Sequence, residues 1–138
     1  VIDCEFELFT LLATKLRAQF PGIYVTGEYV RATSRLPCVS IEQRDNTPWR
    51  NSRTTSTNEV HTAVMYEINV YSNKESGKKA ECKSIADFVD REMNRLGFTR
   101  TMLSPTPNLA DATLYRLTAR YSAIVGQDSE GNYTIYKR

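Results

Sequence analysis

The chain has one histidine, one tryptophan, three cysteines and six glycines in 138 residues. Each scarcity removes a class of chemistry. A hydrolytic triad needs a histidine between a nucleophile and an orienting carboxylate, and only His61 is available. No GxSxG elbow accompanies it, so His61 reads as a structural or exposed residue. Cys4, Cys38 and Cys82 are far apart and form no CxxC pair, so neither a zinc site nor a disulfide framework is indicated. They read as small core or boundary residues, with usage that suits a reducing compartment such as a cytoplasm. Clustered glycines opening a helix, as phosphate loops need, are also missing. Gly77-Lys78-Lys79 is the nearest approach, and a lone glycine makes a weak anion signal.

Long apolar runs are lacking too. No segment approaches the roughly 18 residues of a membrane span, and Asp3, Glu5 and Glu7 interrupt any signal-peptide core at the start. Charge of one sign is not in excess either: 18 Lys and Arg stand against 16 Asp and Glu, mixed along the chain. A duplex-binding surface concentrates cations to neutralise phosphates, so charge gives no argument for nucleic acid. With no metal motif, Asp87 with Asp90 reads as a wet helix face and Asp128 with Glu130 as a turn. No catalytic residue, metal or cofactor is expected, and the chain reads as non-enzymatic.

What is present is an ordinary globular pattern. Hydrophobic residues at 41% supply enough core for a single domain over 1–138. Residues 2–20 read as an amphipathic helix with Ile2, Phe6, Phe9, Ala13, Leu16 and Phe20 on a buried stripe widened by Leu8 and Leu12. Pro21-Gly22 stops it. Strands follow at 23–30 and 38–44, and a longer one at 60–72 alternates Val64, Tyr66, Ile68 and Val70 with polar residues. A second helix spans 78–96, with Cys82, Ile85, Ala86, Val89, Met93 and Leu96 inward, an Asp87–Arg91 pair outward and Gly97 as its cap. An extended segment at 98–104 precedes a strand at 113–125, and a turn leads to a short last strand at 133–136. The expectation is α+β, order α-β-β-β-α-β-β with a small strand at the end. Strict alternation gives the mainly antiparallel sheet one apolar face, and two helices cover it in a two-layer sandwich.

Residues 45–59 break the pattern and read as a long polar loop carrying Trp49, Arg50 and Arg53, with Arg44 just before it. Loops of this length are usually functional or disordered. This one reads either as a floppy hairpin tip with Trp49 folded back on the sheet or as a contact surface, since Trp and Arg are enriched at binding hot spots. They also suit stacking on single-stranded nucleic acid. Arg116 and Arg120 share the polar face of the fifth strand, where cross-strand pairing or a second subunit can engage them. Arg44, Trp49, Arg50, Arg53, Arg116 and Arg120 are therefore the candidate interface residues.

The helix, the strand meander split by a polar loop, the second helix headed by YSNKESG at 71–77, and the closing run ATLYRLTARYSAIVG at 112–126 together resemble phage tail terminator (tail-completion) proteins. The resemblance is one of element order and texture over most of the chain, and no family residue transfers by motif. It implies a hexameric ring at the head-proximal end of a tail, located in the virion, that stops tail-tube growth. Implied partners are other copies of the chain, the tail-tube protein and the head-closure or connector protein. Genomic DNA would pass through without sequence-specific binding. The other readings left open are another neck component, and a small nucleic-acid-binding domain using the Trp/Arg loop. Salt-sensitive oligonucleotide binding lost in Trp49→Ala would mark the last of these.

Overall fold

A computed structural model describes residues 1–28, 35–49, 61–107, 113–128 and 130–136. The element order is α1 (Glu5–Gln19), β1 (Tyr24–Thr26), β2 (Cys38–Pro48), β3 (His61–Ser72), α2 (Lys78–Leu96), β4 (Thr99–Pro105), β5 (Tyr115–Gln127) and β6 (Tyr133–Tyr136). The strands form one sheet ordered β1-β2-β3-β5-β4, with β6 also on β5. All pairs are antiparallel except β1 with β2.

Alternation fixes which face is buried. Val39 and Ile41, Val64 to Val70 at every second position, and Leu117 to Val125 likewise, point to the side covered by both helices and form the main core. Within it Tyr66 meets Phe98 edge-to-face at 5.6 Å, a favoured aromatic geometry. A small second cluster of Cys38, Tyr71 and Leu114 lies apart from this core. Burial raises the Cys82 thiol to about 12 and the Cys38 thiol to about 11. All three cysteines are free and buried, so they behave as small apolar residues rather than as nucleophiles.

Two sequence expectations need correction. The buried line of α1 runs through Leu8, Leu12, Ala13 and Leu16; Phe6 is 76% exposed. Two residues before Leu8, Phe6 lies about 200° around the helix, so it cannot share that face. Residues 45–48, expected as loop, continue β2 and pair with Met65, Val64, Ala63 and Thr62. A register shift between Gln43 and Asp45 resets the alternation at Arg44, which hides the strand from a period-of-two reading. Asn46 is polar yet faces inward because the core ends there; its side chain donates to Ile2 O at 2.7 Å and accepts from Thr62.

The α2 boundaries match the sequence reading. Its C-terminus closes on Gly97 at φ 105°, with Phe98 N–H donating to Met93 O at 3.0 Å and Gly97 N–H to Asn94 O at 3.1 Å. That left-handed residue is what glycine supplies at a helix end.

Candidate interaction surface

The face of the sheet opposite the helices presents Ser40, Glu42 and Arg44 from β2, Glu67 and Asn69 from β3, and Arg116, Thr118 and Arg120 from β5. Register sets their neighbours: Glu42 lies opposite Glu67, Glu67 opposite Arg120, and Asn69 opposite Thr118. Like charges directly opposite are unfavourable, and cations offset the Glu42–Glu67 juxtaposition. Arg120 Nε donates to Glu67 Oε1 at 3.1 Å, and Arg44 Nη1 lies 4.0 Å from Glu42 Oε2.

Asn69 ties the centre together. Its Oδ1 accepts from Thr118 Oγ1 at 2.6 Å and Arg116 Nε at 3.0 Å, while its Nδ2 donates to Glu67 Oε2 at 3.1 Å. Asn69 is 1% and Glu67 6% exposed. Burial pushes the Glu67 carboxyl up, but the hydrogen bonds from Asn69 and Arg120 and the charges of Arg44 and Arg120 prevail and hold it below the ordinary carboxylate value. Two polar atoms on this face, Ser40 Oγ and Glu42 Oε1, are buried with no hydrogen-bond partner among the described residues.

Arg44, Arg116 and Arg120 thus come together on one wall. Trp49 is half-buried just past the end of β2, where its backbone N–H donates to His61 O at 2.9 Å. Arg50 and Arg53, with residues 50–60 as a whole, lie outside the described residues. The His61 ring sits against Gly126 and edge-on to Tyr136 at 5.6 Å. Around Asp128 the acidic side chain closes a turn, accepting from Glu130 N–H and Asn132 N–H, each at 2.9 Å.

Sequence reading missed two features. Glu92 carries no signal in the helical pattern of α2, yet it is 6% exposed and binds Lys15 of α1 at 2.8 Å and Arg95 at 2.9 Å. The Lys15 hydrogen bond is the main reason its carboxyl is held low, against its burial and with help from Arg95. The second is a groove of about 530 Å³ between α2 and the edge strand β4. Leu103 lies opposite Ala119 of the core face yet is 43% exposed, on the wall of this groove. No protein-family model matches the chain, and no curated protein matches it.

Proposed function

We propose that this chain is a virion structural protein of a tailed phage, one that forms a ring at the head-proximal end of the tail, ends tail-tube growth and joins the tail to the head connector. The observation that carries this reading is the polar sheet face. It is a wall of interlocked charged and amide side chains. Such a wall makes a stiff building block whose remaining exterior serves neighbours. It stands on the α+β element order that resembles the tail terminators.

The wall also suits a channel lining. Arg116 and Arg120 are spent on Asn69 and Glu67, so they offer less to a phosphate backbone than free cations would. DNA passing such a surface is neither repelled strongly nor held. Growth stops because a head-to-tail contact whose rotation closes leaves no free subunit edge.

The test is electron microscopy of the purified chain with polymerising tail-tube protein. Six-fold rings at tube ends and shorter tubes are the expected outcome. Bare ends and unchanged tube length, with the chain free in solution, would refute the assignment.

A further inference from the structure

The groove between α2 and β4 lies apart from the polar wall. Leu103, Pro105 and Leu117 give it an apolar floor, and Lys79 and Lys83 stand on its α2 side. Its acids are neutralised within the chain: Asp87 pairs with Arg91 at 3.6 Å, and Asp90 with Arg100 at 3.3 Å and Tyr121 OH at 2.9 Å. Lys78, next to Lys79 in the chain, is engaged with Thr113 O at 3.1 Å. Lys79 and Lys83 have no ion pair among the described residues, so the open charge of the groove is positive.

Both lysines stand where α2 itself gains nothing from them. Lys79 lies in the first turn of the helix, at the positive end of its dipole, where a cation is unfavourable. Lys83 follows one turn later on the same side, and like charges at that spacing repel. No carboxylate of the described chain relieves either cost. An anion seated between the two lysines would relieve both.

The other wall of the groove is a sheet edge. Among the described residues β4 pairs with β5 and with no other strand. Thr106 N–H donates to Arg116 O at 3.0 Å, and antiparallel alternation then turns the N–H and C=O of Leu103 away from β5. A strand laid along this edge would set its residue opposite Leu103 on the core face, over the apolar floor and beneath α2. The register shift between Arg100 and Met102 and the missing N–H of Pro105 bracket the free edge. Pairing there is short, so the groove must supply the rest of the affinity. We infer that the α2–β4 groove takes an extended acidic segment of another protein, paired along Leu103. Its aliphatic side chain covers Leu117, and its carboxylate sits between Lys79 and Lys83. The inference goes beyond the ring reading and does not depend on it, since a single chain carries the whole groove.

The probe is a short fluorescein-labelled peptide in which threonine alternates with glutamate and leucine. It is titrated with the full-length chain and followed by fluorescence polarisation. Saturable binding that weakens as salt rises is the expected result. Lys79→Glu should weaken it at least about tenfold. The same substitution should raise the urea midpoint, because it removes a cation from the start of α2, so unfolding cannot account for the loss. Leu103→Asp should weaken binding by a similar factor. So should lysine in place of glutamate in the peptide, or a proline at its centre, which cannot pair along the edge. No saturable binding by the wild-type chain, or equal binding of the lysine or proline peptide, would overturn the inference and leave the ring reading untouched. Octanoate binding as tightly as the peptide would give the groove to a small amphiphile. Self-association abolished by Lys79→Glu would give it to a second copy, and either result also overturns the inference.

Discussion

Asn69 is the residue on which the polar wall depends most. It serves Thr118, Arg116 and Glu67 at once, and removing it strands groups already buried, which costs more than the bonds themselves contribute. Asn69→Ala should lower stability by about 1–3 kcal/mol in urea unfolding, and Asn69→Asp should not rescue it, because a second carboxylate would meet Glu67. The two buried glutamates set the acid limit. Both Glu67 and Glu92 are held below the ordinary value of 4.5 in the folded chain. Their stabilisation is therefore complete above that pH and is lost as pH falls through the lower folded-state values. Urea midpoints measured from about pH 7 down to about pH 3 should fall steeply at the acid end. Lys15→Met should flatten that fall by removing the group that holds Glu92 low.

At the scale of elements, the clearest sequence signals came from segments whose two faces differ. β3, β5 and α2 were legible because each meets core on one side and polar surroundings on the other, so periodicity reports burial. α1 was legible as a helix but not in its rotation: Phe6 fits a three-and-four spacing from Ile2, and only packing shows that Leu8, Leu12 and Leu16 face the core instead. β2 was cut short at Arg44 because a bulge resets alternation and the helices no longer cover the residues beyond it. The wall itself was half visible. Arg116 and Arg120 stood out as charges on a strand, but their partner Asn69 needed the β3–β5 register. The groove beside β4 had no signal, since Leu103 in a short strand does not announce that it lines an open groove with α2. Gly97 was legible as a cap, and the fold adds a second demand there. A side chain at Gly97 would meet Ile135 O of β6 at 3.1 Å as well as strain φ 105°. Gly97→Ala should therefore cost about 1–3 kcal/mol in thermal or urea unfolding, and an Ile135→Ala background should recover only the crowding from that side chain, not the backbone strain.

For the whole molecule, the interlocked polar wall is the feature that the proposed ring would use. In the proposed ring, neighbours and passing DNA would meet a wall whose arginines are already committed to Asn69 and Glu67. The most direct measurement is the symmetry of the native assembly by electron microscopy of wild-type chain at tail-tube ends. Closed six-fold rings at the tube ends are the result that the ring proposal predicts. Isolated single subunits, or a two-fold dimer joined by matching faces, would contradict it.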